Sequence, residues 1–151
     1  MAWYTAKSNI VIGCIGDSNI VGNKEALGTA QTQNSNLFCY GEALNSVYVE
    51  ANMSWQSYDP NAESRNLVML YSLFTLGVPY IGQMLGGSGS ATMTLGSTVQ
   101  AGTGKDVYLY SCAKYASTSS SWASGDNWDA LERTAPVALA AIPGSPAYFD
   151  V

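Results

Sequence analysis

The 151-residue chain contains no histidine and few charges: Asp, Glu, Lys and Arg together make up 11% of it. A globular domain typically carries about 25% charged residues. The missing imidazole withholds the base that most often activates a serine or cysteine nucleophile. It also removes the commonest nitrogen ligand for a metal, and no Cys-x-x-Cys spacing stands in for it. The six basic residues, Lys7, Lys24, Arg65, Lys105, Lys114 and Arg133, are scattered and outnumbered, leaving a net charge of −5. A phosphate backbone finds no basic stripe here, which argues against nucleic-acid binding. No apolar run approaches the roughly 18 residues of a membrane span. The start of the chain, Met1 to Lys7, lacks the charged-then-apolar order of a signal peptide.

With 47% hydrophobic residues, the chain has material for one domain, spanning 1–151, that buries roughly 70% of its unfolded surface. With charge so scarce, Ser, Thr, Asn, Gln, Gly and Tyr must fill the solvent-facing positions. That composition suits an assembled or extracellular surface. Cys14, Cys39 and Cys112 are odd in number and each sits in an apolar stretch, as small buried core residues do. No cofactor and no metal are expected.

Two segments read as buried strands. Residues 10–16 are nearly all apolar and end abruptly in Gly16-Asp17-Ser18-Asn19, with Gly22 beyond; residues 107–113 are the second such run. Ligands of open α/β sheets gather outside the carboxyl ends of strands, so Ser18 is expected at the rim of a cleft. Between the runs lie a polar loop at 23–36, β-prone pieces at 37–40 and 47–49, and a turn at Asp59-Pro60-Asn61. A helix opens after Ser64 and closes at Gly77 and Pro79. The glycine-rich stretch 86–104 shows no long apolar period, and Thr92 to Val99 is expected as a hairpin strand. Trp128, Leu131, Ala135, Leu139 and Ile142 recur at helical spacing, with a kink or a restart capped by Thr134 expected at Pro136. A turn at 143–146 precedes a third expected strand from Tyr148.

Gly86-Gly87-Ser88-Gly89-Ser90 lacks the Gly-Lys-Ser/Thr of a phosphate loop. The four Trp, ten Tyr and three Phe serve core and interface packing, with sugar stacking as the other reading of Trp55, Tyr58, Trp122 and Trp128. Asn52-Met53-Ser54 fits the short glycosylation sequon.

The block Gly16-Asp17-Ser18-Asn19, with its preceding strand and Gly22, resembles the first block of the SGNH (GDSL-type) hydrolases, particularly their carbohydrate-esterase-like and phage-encoded branches. Residues 107–113, followed by Lys114-Tyr115-Ala116-Ser117 and by Trp122, look like the second block. There the family usually shows Gly-Gly-Thr-Ser ahead of a Trp. The resemblance implies a three-layer, flavodoxin-like α/β fold with a parallel sheet, incomplete at its C-terminus. It makes Ser18 the nucleophile and places Asn19, Ala116 and Ser117 around the oxyanion and cleft. Its second oxyanion donor falls on Tyr115 or Ala116, where a Cβ removes easy access to positive φ. The family's third block and its Asp-x-x-His block do not occur in these residues.

The resulting expectation is a non-catalytic SGNH-like structural or surface-binding module, inactive as this chain and belonging to a phage virion surface. An O-acyl or carbohydrate esterase whose Asp-His part lies elsewhere is the alternative. A β-rich assembly protein, in which Gly-Asp-Ser-Asn is only a turn, is the alternative fold. Expected partners are other protein subunits, with carbohydrate a further candidate, and neither nucleic acid nor membrane. The expected location is a virion or the extracellular space, reached without a signal peptide; a cytoplasmic location is the alternative.

Overall fold

The central strand of the structure is the one whose residues are apolar on both faces. A computed structural model describes residues 4–16, 34–41, 53–58, 80–81, 91–113, 119–123 and 126–151. In chain order these form β1 (Asn9–Gly16), β2 (Asn34–Gly41), β3 (Ser54–Tyr58), the short β4 (Tyr80–Ile81), helix α1 (Ala91–Thr103), β5 (Asp106–Ala113), the short α2 (Ser119–Ala123) and α3 (Asp126–Ala140). The strand order is β1-β5-β2-β3, with β4 also on β5. β5 pairs in parallel with β1 along its whole length, from Asn9↔Asp106 to Gly16↔Ala113. Its other edge takes β2 in parallel from Leu37↔Val107 to Cys39↔Leu109, then β4 antiparallel at Ile81↔Cys112 and Tyr80↔Ala113. β3 closes antiparallel on β2. The class is α/β, with helices of 13 and 15 residues packed on the sheet. The parallel sheet expected is present at β1, β5 and β2, while β3 and β4 each arrive antiparallel and make the whole mixed.

Alternation along the strands sends two sets of side chains to opposite faces. Ile10, Ile12, Leu37, Cys39, Val107 and Leu109 form one buried cluster, with Val99 of α1 against it. Val11, Tyr108, Leu139 and Ile142, continued by Tyr40, Tyr110, Cys112, Ala130, Ala135 and Ala138, fill the other face beneath α3. That second face is aromatic. Phe38 stacks on Tyr108 at 4.7 Å, and Trp55 meets Tyr108 edge-on at 5.1 Å. The Trp55 indole N–H donates to the Ala138 carbonyl at 2.9 Å, tying β3 to α3. Trp55 and Trp122 therefore pack against the core, while Trp128 is exposed.

Helix α1 replaces the hairpin strand expected at 92–99. Alongside Val99, it meets the sheet at a residue that has no side chain. A Cβ on Gly96 would lie 2.9 Å from Leu37 Cδ1 and 3.6 Å from Leu109 Cδ2. The helix thus seats its backbone on the leucines and needs no broad apolar stripe. It ends at Gly104, whose φ of +66° suits glycine and whose N–H donates to the Gln100 carbonyl. Gly96→Ala gains about 1 kcal/mol of helix propensity. Overpacking against the fully buried Leu37 costs about 1–3 kcal/mol. We expect a net loss of about 1 kcal/mol, read as a lower urea midpoint; a raised midpoint would mean that the helix rides higher than this contact implies.

Helix α3 runs through Pro136 without a restart. Thr134 does not cap: its hydroxyl donates back to the Ala130 carbonyl at 2.7 Å, inside the helix. Residues 148–151 form no strand, contrary to expectation, but lie along the outer edge of β1. The Asp150 N–H donates to the Val11 carbonyl at 2.7 Å, and the Gly13 N–H donates to the Val151 carbonyl at 2.9 Å. The Asp150 carboxylate accepts from the Val11 N–H at 2.9 Å and from the Lys7 ammonium at 2.5 Å. Phe149 packs beside Tyr110, ring centroids 5.3 Å apart, whereas Tyr148 and Val151 are exposed.

The hydrogen bond that Lys7 donates to Asp150 is the main reason its pKa stands above the ordinary 10.5. A raised folded-state pKa means the pair's contribution is complete below the unfolded value and is lost as pH climbs through the folded one. The stability difference between wild type and Lys7→Met should therefore stay flat from neutral pH to about 10 and shrink only above it. Urea titrations across that range measure it; a difference already shrinking near pH 8 would contradict the pairing.

The helix expected at 64–77, residues 23–33 of the loop expected at 23–36, the β-prone piece at 47–49, the turn at 59–61 and the glycine-rich run at 86–90 lie outside the described residues; residues 34–36 of that loop belong instead to β2, where they lengthen the strand expected at 37–40. Among the described residues no helix is long and apolar enough to cross a membrane.

Candidate functional site

The geometry that bears on Ser18 is that of the strand ends below it. β1 and β5 finish flush, Gly16 beside Ala113, so both carboxyl ends emerge at one edge of the sheet, about 4.8 Å apart. β4 reaches the same edge from the opposite direction. Segment 17–19 and segment 114–118 thus start from adjacent positions. Ser18, Asn19, Ala116 and Ser117, with Tyr115, themselves lie outside the described residues. The structure brings together their points of departure.

The side chains immediately beneath that edge are neutral. On one face Ile15 is half exposed and sits opposite the buried Cys112; on the other Cys14 sits opposite the buried Ser111. Burial pushes the Cys112 thiol up to about 12 and raises that of Cys14 as well. Both are protonated at neutral pH and supply no thiolate. The three cysteines are free, with Cys39 and Cys112 buried and Cys14 half-buried, as expected of core residues. Two positions below Cys112, the Tyr110 hydroxyl lies 2.7 Å from Thr134 Oγ1. The single Thr134 hydroxyl proton goes to Ala130, so the phenol is the donor. Burial raises the Tyr110 pKa strongly, and the group stays a neutral anchor between β5 and α3.

Among the described residues no group of three or more His, Cys, Asp or Glu side chains could hold a metal. Sequence reasoning missed one polar cluster at the other end of β1, made by Lys7, Asn9 and Asp150. No local motif announces it, because its members come together from positions more than 130 residues apart in the chain.

No protein-family model matches the chain, and no curated protein or solved structure matches it.

Proposed function

We propose that the chain is a non-catalytic SGNH-like module with a structural or surface-binding role, of the kind carried on a phage virion surface. The observation that carries this reading is the flush, in-register pairing of β1 with β5. It puts Gly16 beside Ala113, so the chain leaves β1 toward Ser18 and β5 toward Ser117 from neighbouring strand ends, which supports the SGNH reading. The flavodoxin-like topology belongs to the same proposal. In that order the first strand lies between the second and the third. Here β1 lies between β5 and the 148–151 run. Right-handed crossovers in opposite directions set their helices on opposite faces, and α1 and α3 lie on opposite faces. The β2–β3 hairpin is an addition beyond that order.

Catalysis is assigned no role because these 151 residues hold no imidazole and the second block carries Tyr115-Ala116 in place of glycine. Triad members act as a unit. Without the base, only oxyanion stabilisation and binding remain, about 10³–10⁴ over water at best. Purified chain assayed with activated acyl esters and with an acetylated sugar should therefore match its Ser18→Ala variant. Hydrolysis that disappears in Ser18→Ala would overturn the proposal in favour of an O-acyl esterase.

A further inference from the structure

We infer that the pocket at the amino end of β1 is a binding site for a neutral sugar, about one hexose ring in size. It lies at the opposite edge of the sheet from Gly16 and does not depend on the SGNH reading. Its volume is about 270 Å³, and its walls include Lys7, Asn9, Pro143, Pro146, Tyr148 and Asp150. That is just below the usual range for ligand pockets, about 300–1,000 Å³, which limits it to a compact ligand.

The polar groups are held in place before any ligand arrives. Asn9 Nδ2 donates to the Pro143 carbonyl at 3.0 Å, which fixes the amide and turns its oxygen into the available acceptor. The Lys7 ammonium is held by Asp150, and Lys105 donates to the Lys7 carbonyl, which steadies the backbone there. An ammonium has three N–H donors, so Lys7 retains donors beyond the one given to Asp150. A fixed donor beside a fixed acceptor complements the vicinal hydroxyls of a sugar, each of which both gives and accepts.

Apolar surface completes the match. Tyr148 is 68% exposed at the rim, with the Lys7 ammonium 5.9 Å from its ring centre. The ring, with Pro143 and Pro146, offers a platform for the C–H face of a pyranose, while the phenol oxygen stays wet. Charge decides the ligand class. Lys7 and Lys105 at this end of the sheet are balanced by Asp150 and by Asp106, the register partner of Asn9, so neither an anion nor a cation gains from a net field. An extended peptide is disfavoured for a different reason. The β1 edge groups beside the pocket, the Val11 N–H and carbonyl, are already taken by Asp150, and strand addition needs such groups open.

The test is amide NMR of the whole chain titrated with glucose, galactose and N-acetylglucosamine, with glucuronate and glucosamine as charged comparators. At least one neutral sugar should give saturable shifts at residues 6–9 and 143–150, with a Kd of order 1 mM. Tyr148→Ala and Asn9→Ala, both surface changes, should each weaken it by about tenfold or more. Three results would each overturn the inference: no saturable shift at sugar concentrations well above millimolar, binding unchanged in both variants, or a preference for either charged sugar.

Discussion

Truncating Tyr110 to alanine is expected to cost about 3–5 kcal/mol, the range for removing a buried aromatic ring. That is a large share of a total stability of about 5–15 kcal/mol. The ring is fully buried in the centre of β5 and contacts Tyr40 and Phe149, at 6.0 and 5.3 Å between centroids. Its hydroxyl links β5 to α3, beside the Trp55 link from β3. Two milder variants separate packing from hydrogen bonding. Tyr110→Phe keeps the ring and leaves Thr134 still donating to Ala130, so it should cost only about 0.5–1.5 kcal/mol. Thr134→Val leaves the buried phenol as a donor with no acceptor, for about 1–3 kcal/mol. Urea denaturation of the three variants should rank them Tyr110→Ala, Thr134→Val, Tyr110→Phe from most to least damaging. If Tyr110→Phe cost as much as Tyr110→Ala, the hydrogen bond and not the ring would be the anchor.

The parts of this fold that sequence made visible are those where burial leaves no choice of residue. β5 lies in the middle of the sheet and β1 beside it, with residues 148–151 along the outer edge of β1 and side chains packed on both faces, so nearly every position is apolar and both runs stand out. Helix α3 shows its heptad-like spacing because one side is buried under Tyr108 and Tyr110 and the other faces water. Helix α1 was hidden for the converse reason: part of its contact with the sheet is made at Gly96, and a glycine contact adds nothing to a hydrophobic period. Pro136 and Thr134 misled because a helix whose buried side is well packed can forgo one ladder hydrogen bond. The candidate site was legible only as far as the strands that carry it. Gly16 beside Ala113 follows from two apolar runs becoming neighbours, whereas Lys7, Asn9 and Asp150 meet only through the folded chain and leave no trace in local sequence.

Gly13→Val is the second change expected to act strongly, and its direction runs against β-propensity. Valine favours strands over glycine by up to about 1 kcal/mol, and Gly13 lies within β1. A Cβ there, however, would stand 2.8 Å from Phe149 Cγ and about 3 Å from two further ring carbons. The backbone of β1 is held by β5 along its whole length, so the ring must move instead. Moving it gives up the contact with Tyr110 and loosens residues that reach Val11 and Gly13 through Asp150 and Val151. We expect a net loss of about 2 kcal/mol, within the range for overpacking. Faster exchange of the Asp150 amide should accompany it. The decisive measurement is a four-member cycle with Phe149→Ala. Without the ring, valine at 13 should be neutral or stabilising, giving a coupling of about 1–3 kcal/mol between the two positions. If Gly13→Val cost the same with and without Phe149, the glycine would serve the strand itself and not the ring that lies on it.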